Sequence, residues 1–232
     1  MYCSVCGHDR QYVSDGVFEF ELLAGDQLCG GIYSGFLFRD SKSMGVPTTM
    51  KQDSSSGDHS EQEFDRYGDN YGELLDDALS FSGKGGDFFM KVKADHLVEK
   101  VQTVFPDTNS LKTLDVGCGT ATLHAILDGR AGHLTGVDVS SGMIDTARKK
   151  HPGNSFVVYD GDVLPFESQS MDLVFTICVM HHVLPSKWQD FVSEMYRVLR
   201  PGGVAMVFEH NPYNPLTRRV VNQCEFDKDA VL

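Results

Sequence analysis

The sequence predicts an α/β fold, a mostly parallel β-sheet with helices on both faces, and three observations predict it. Leu111 to Ala121, LKTLDVGCGTA, passes from a short apolar run through a glycine turn into a helix candidate, the opening half of a nucleotide-binding βαβ unit. Further short apolar runs follow at His133 to Val139, Phe156 to Tyr159, Met171 to Val179 and Val204 to Phe208, with helical-period stretches between several of them. The run from Met171 is apolar almost throughout, as expected of a strand that helices cover on both faces.

Composition sets the bounds. A chain of 232 residues is long enough to bury a core and makes one ordinary domain with an appendage. Its formal net charge of -13 argues against wrapping a nucleic-acid backbone, which needs a lysine and arginine surface. No apolar run approaches a membrane span, and MYCSVCGHDR has no hydrophobic signal core. Six cysteines scattered through an ordinary composition do not make a disulfide scaffold, so a cytoplasmic, reducing compartment is expected.

Residues 1–60 read as a separate N-terminal segment. Cys3 and Cys6, with Gly7 and His8, are half of a zinc knuckle. The second half is missing, because Cys29 stands alone and His59 lies in a polar tract; two reduced thiols are the plainer reading, and no metal centre is expected. Val17 to Leu23 and Ile32 to Phe38 are candidate strands of a hairpin, followed by a polar linker through Ser60. The main domain is expected over 61–232. Phe64, Tyr67 and Tyr71 share one helical face, which suits packing on the sheet. Phe88 to Phe105 is an amphipathic helix with Phe89, Val92, Val98, Val101 and Phe105 near one side, stopped by Pro106.

At the turn itself, Leu111, Leu114 and Val116 form the strand, and Gly117, Cys118 and Gly119 break it before a helix from Thr120 to Leu127. A dinucleotide fingerprint would need glycine at 122, where this chain has Thr, and Asp115 would face an incoming pyrophosphate. That suits a ligand carrying an ammonium and a sulfonium better than a diphosphate. Asp138 ends the next strand about 20 residues beyond the glycines, the separation at which an acid reaches ribose hydroxyls. Ser140 or Ser141 caps the following helix, whose last turn is basic at Arg148 to Lys150. After the third strand comes DGDVLPF; after the fourth comes CVMHHVLP, which sets His181 and His182 on the rim. Trp188, Phe191, Val192, Met195, Val198 and Leu199 then repeat at helical spacing up to RPGG.

D-V-G-C-G-T resembles motif I of the class I S-adenosylmethionine-dependent methyltransferases of the small-molecule, type 11-like kind, and R-V-L-R-P-G-G resembles the turn before their fifth strand. The resemblance covers roughly 61–229 and implies a Rossmann-like fold, S-adenosylmethionine as cofactor, and methyl transfer; the acidic charge and the lack of a membrane element favour a small-molecule acceptor, with no nucleic-acid or membrane partner expected. Asp115, Gly117 and Gly119 would hold the methionine part and Asp138 the ribose. Asp162 would accept from the adenine amino group, with Val163 beside the ring. Met143 would pack on the adenine, although core filling explains it equally well. Ala121 stands where the family usually has a third glycine and narrows the room beside the methionine part. His181 and His182 are the catalytic candidates, since an imidazole can take a proton from an acceptor hydroxyl or amine; shaping the pocket is their other reading. A tyrosine near residues 64–71 would close over the cofactor.

The family's sheet ordinarily has seven strands, yet past Phe208 there is one short helix and no convincing pair of strands. Either the chain is a truncated piece or the missing edge comes from elsewhere, for which the candidate hairpin at Val17 to Phe38 is the sharper alternative. A cofactor-binding module without turnover is the rival from another class. An NAD or nucleotide-sugar enzyme is disfavoured by Thr122 and Asp115.

Overall fold

The computed structural model describes residues 17–23, 72, 76, 77, 79, 83–224 and 227. In chain order the strands and helices are β1 (Val17–Leu23), α1 (Gly86–Val104), β2 (Lys112–Val116), α2 (Thr122–Leu127), β3 (His133–Asp138), α3 (Ser141–Lys150), β4 (Ser155–Val158), β5 (Met171–Ile177), α4 (Trp188–Val198), β6 (Leu199–His210) and α5 (Pro215–Gln223). Two short 3-10 turns, Met180–His182 and Pro185–Lys187, lie between β5 and α4. The expectations at Cys3, Cys6, Cys29, His59, Ile32 to Phe38, Phe64, Tyr67 and Tyr71 fall outside the described residues.

The strands form one sheet in the order β1-β6-β5-β2-β3-β4. β2 pairs in parallel with both β3 and β5, and β3–β4 and β5–β6 are parallel as well. The chain builds outward from β2 through β3 to β4, then returns to lay β5 and β6 on the other side. That reversal opens a crevice at the carboxyl ends of β2 and β5, where open α/β sheets bind ligands.

Pleat alternation sorts the apolar residues into two layers. Leu173, Phe175, Val204, Met206 and Phe208 face α1 and α2, where Leu97, Val98, Val101, Leu123 and Leu127 meet them. Val174, Ala205 and Val207 join Leu114 and Val116 on the other face against Phe191, Met195 and Val198 of α4. Each fully buried large apolar side chain contributes roughly 1.5–3 kcal/mol, so these two layers hold the strand tips in register. The buried stripe of α1 is Ala94, Leu97, Val98 and Val101. Phe89, Val92 and Phe105, expected on that stripe, are only half-buried. Ser140 is the residue that caps α3, its Oγ accepting from Met143 N at 3.1 Å.

The missing edge is supplied by β1. It runs antiparallel to β6, from Val17 opposite His210 to Leu23 opposite Val204, so β6 is paired on both sides. An antiparallel partner needs only a free row of backbone donors and acceptors, not a neighbouring place in sequence. The sheet thereby draws on residues from both sides of the boundary expected near residue 61. Among the described residues only α5 and Asp227 follow β6 as ordered elements of the C-terminal part.

Candidate functional site

The turn after β2 is built from left-handed residues. Gly117, Gly119 and Ala121 have φ of 77, 52 and 58°. A Cβ on Gly117 would lie 2.4 Å from Val179 Cγ2, so glycine lets the tips of β2 and β5 close together. A Cβ on Gly119 would meet nothing within 4 Å, which leaves the backbone there open to a ligand. The Ala121 methyl is fully buried with Ile144, Ala147 and Phe156. It fills core beneath α3, and the expected crowding beside the turn does not arise from it.

Asp115 is turned inward. Leu114 and Val116 point to the α4 layer, so the pleat sends Asp115 to the other face, beneath α2. Its Oδ2 lies 3.1 Å from His124 Nε2, and His124 Nδ1 lies 3.0 Å from Asn154 Nδ2. The His124 ring also stacks on Phe156, with centroids 5.2 Å apart. Asp115 therefore sits behind the turn as a buried charge with a partner, not in front of it.

Asp138 ties the second strand tip to the first. Its Oδ2 accepts from Gly119 N at 2.8 Å and its Oδ1 from Ser140 N at 3.0 Å. Burial raises its pKa, an effect these backbone donors oppose and the Asp115 charge reinforces. Burial, with the Asp115 and Asp138 charges reinforcing it, likewise pushes the Cys118 thiol up.

Beyond β4 the loop is organised by Asp160, whose Oδ1 accepts from Asp162 N at 2.9 Å and Val163 N at 3.1 Å. Those two bonds lower the Asp160 pKa. The Asp162 carboxylate is exposed and pairs with Lys187 Nζ at 2.6 Å. Val163 is 59% exposed, an apolar side chain standing open at the tips of the strands. Tyr159 has its hydroxyl pKa raised by burial first and then by the charges of Asp138, Asp160 and Asp162. Met143 is 3% exposed, in line with its reading as core. Arg197 fastens the loop to α4, donating to Leu164 O and Phe166 O, both at 2.9 Å, while Glu194 accepts from Leu164 N at 2.9 Å.

At the tips of β5 and β6 a denser polar cluster forms. Cys178 adopts φ of 57° and takes a contact from Lys93 Nζ at 3.1 Å. Burial works against the Cys178 thiolate, but His210 and Lys93 more than offset it and bring the pKa down to about 6. Glu209 Oε1 accepts from Val179 N at 2.8 Å and Met180 N at 2.6 Å, and Oε2 lies 2.7 Å from His181 Nδ1. Asp227 Oδ1 lies 3.4 Å from His181 Nε2 and 3.3 Å from His182 Nε2. Burial tends to lower the His181 pKa, yet Asp227 and Glu209 raise it to about 10. Each ring nitrogen of His181 thus faces a carboxylate oxygen. His182 is half-buried and burial lowers its pKa.

Residues 114–207 match the family described as Methyltransferase domain. That stretch, running from β2 into β6, is similar to class I methyltransferase domains. The chain is 35% identical over 113 residues to the demethylmenaquinone methyltransferase of Clavibacter sepedonicus, covering 47% of this chain and 45% of that one. It is 33% identical over 93 residues to a malonyl-[acyl-carrier protein] O-methyltransferase of Serratia marcescens, covering 40% and 36%. Among solved structures, S-adenosylmethionine-bound CalS10, an amino pentose methyltransferase from Micromonospora echinaspora, aligns with a TM-score of 0.46 at 24% identity over 51% of this chain and 50% of that one. The chain spans less than half the length of these curated relatives.

Gly119 meets Asp138 where the tips of β2 and β3 adjoin, with Gly117 in the same turn, and Asp162 and Val163 lie on the loop after β4. His181 and His182 lie at the tips of β5 and β6, and Asp115 lies behind the turn. Sequence reasoning missed His124, Asn154, Asp160, Lys187, Glu209, His210 and Asp227. Three of these had a signal. D-G-D after β4 is a spacing at which the first aspartate can accept from backbone two residues on, and Glu209-His210 ends an otherwise apolar strand beside the switch point.

Proposed function

We propose that the chain binds S-adenosylmethionine across the tips of β2, β3 and β4 and transfers its methyl group to a small-molecule acceptor. The carrying observation is the bond from Gly119 N to Asp138 Oδ2 at 2.8 Å, which joins an open glycine turn to a buried carboxylate at adjacent strand tips. A carboxylate has about four lone-pair sites, so with two backbone donors bound Asp138 still has room for ribose hydroxyls. Gly117 and Gly119 give the methionine part close approach to backbone, and Asp115 adds negative charge from behind the turn. Val163 offers an exposed apolar face to the adenine, Asp162 accepts from its amino group, and Met143 packs beneath.

S-adenosylmethionine supplies a methyl group on a positively charged sulfur, with a neutral thioether as the leaving group. The residues of the chain then have to hold donor and acceptor in near-attack geometry and keep water away. His181 and His182 shape the acceptor end, His182 being the less buried of the two. The relatives' names favour a metabolite-type acceptor, and the net charge of -13 disfavours a phosphate backbone. No helix among the described residues is long and apolar enough to cross a membrane; the cytoplasm is the compartment we infer. A methyl-release assay with labelled S-adenosylmethionine over a pool of hydroxyl, amine and thiol metabolites tests the reading. Turnover with at least one acceptor class is expected; binding without turnover on any of them would favour a cofactor-binding module.

A further inference from the structure

We propose that His181, His210 and Asp227 form a binding site for one divalent transition-metal ion, zinc being the reference case, at the tips of β5 and β6. One ligand atom from each residue lies within 4.8 Å of the other two. His181 and Asp227 are 4% and 6% exposed, so the group is walled off from water on most sides. The distance of 3.4 Å from His181 Nε2 to Asp227 Oδ1 matches the spacing of roughly 3.3–3.4 Å that tetrahedral bonds of about 2.0–2.1 Å impose on ligand pairs.

Two further observations point to a cation. Among the described residues Asp227 Oδ1 is buried without a well-formed hydrogen bond, its contacts being the ion-pair approaches of His181 and His182 at 3.4 and 3.3 Å. An unsatisfied buried carboxylate oxygen is costly. The second observation is Glu209. With its oxygens bound to Val179 N, Met180 N and His181 Nδ1, it fixes the His181 ring and makes Nδ1 the donor. Nε2 of a neutral ring then presents its lone pair on the side of Asp227. A carboxylate that orients the far nitrogen of a histidine is the usual outer support of a metal ligand. A proton satisfies one of these contacts. A divalent ion satisfies all three at once, and its binding releases protons.

Two imidazoles and one carboxylate suit zinc, cobalt, nickel or iron(II) better than magnesium or calcium, which prefer all-oxygen sets. Three protein ligands leave a coordination position open. If the chain transfers methyl groups, as proposed above, an ion there would bind an acceptor hydroxyl or thiol and favour its deprotonated form. That role rests on the methyl-transfer reading; the site itself does not.

The test uses untagged, metal-free full chain with Cys3→Ser and Cys6→Ser, which removes the paired thiols of the C-x-x-C. Titration with zinc against a competing chelator should give one ion per chain, and cobalt(II) should give the intense visible bands of a tetrahedral site. His210→Gln and Asp227→Asn should abolish stoichiometric binding, and Glu209→Gln should weaken it by about 10–100-fold. Titration of the same variants with S-adenosylhomocysteine reports separately on folding and on the cofactor cleft. Failure to bind zinc by protein that still takes up S-adenosylhomocysteine would overturn the metal site alone. Zinc binding unchanged in both His210→Gln and Asp227→Asn would overturn it as well.

Discussion

Gly117 and Gly119 are two residues apart, and their surroundings predict opposite consequences for the same substitution. Gly119→Ala should fold with a loss of about 1–2 kcal/mol from its left-handed backbone, while the added methyl enters the space left for the cofactor and abolishes binding. Gly117→Ala adds overlap with Val179 to the same strain, and should cost more than about 2 kcal/mol. Thermal melts paired with S-adenosylhomocysteine titration separate the two; equal losses of stability would contradict this assignment. Asp138→Ala should weaken S-adenosylhomocysteine binding by about 1–3 kcal/mol. Because the Asp138 pKa is raised and its ionised form is the better acceptor, affinity should fall as pH drops, starting above the ordinary carboxylate value of about 3.9. Calorimetry from pH 8 downward checks the sign, and affinity rising as pH drops would refute it. Asp138 was legible in the sequence because strand end, spacing and residue type agree. The inward turn of Asp115 was not, since it depends on His124 and Asn154, which only the packing of α2 and the loop after α3 brings together.

At the level of elements, the N-terminal strand was legible as a strand but its partner was not, because pairing of β1 with β6 skips every intervening element. Amide exchange across Val204 to Phe208 should be slow in the full chain. Deleting residues 1–23 should speed it and promote association through the freed edge. Fast exchange in the intact chain would contradict a covered edge. The clasp between α4 and the loop after β4 makes a second prediction. Hydrogen bonding to Arg197 lowers the Glu194 pKa below its usual value of 4.5, with the Leu164 amide adding to the effect. Its folded pKa being the lower one, the contribution to stability is present above the unfolded value and is lost as pH falls through the folded one. Glu194→Gln should therefore flatten the acid limb of a stability profile below about pH 4.5, the ordinary glutamate range. An unchanged acid limb would count against the clasp.

For the whole molecule, the parallel sheet, the glycine turn and the acids at successive strand tips follow from local pattern, and local pattern is what a sequence displays. The cluster at the tips of β5 and β6 does not. Glu209 and His210 meet His181 only across paired strands, and Asp227 comes from beyond α5, so no spacing in the chain announces them. The central claim is that a sulfonium nucleoside lies over β2, β3 and β4, gripped by carboxylates and glycine backbone. Calorimetric titration of the purified full chain with S-adenosylhomocysteine, with NAD as the comparison ligand, tests it most directly. One saturable site for S-adenosylhomocysteine and no heat from NAD is the predicted result; uptake of NAD, or indifference to S-adenosylhomocysteine, would contradict it.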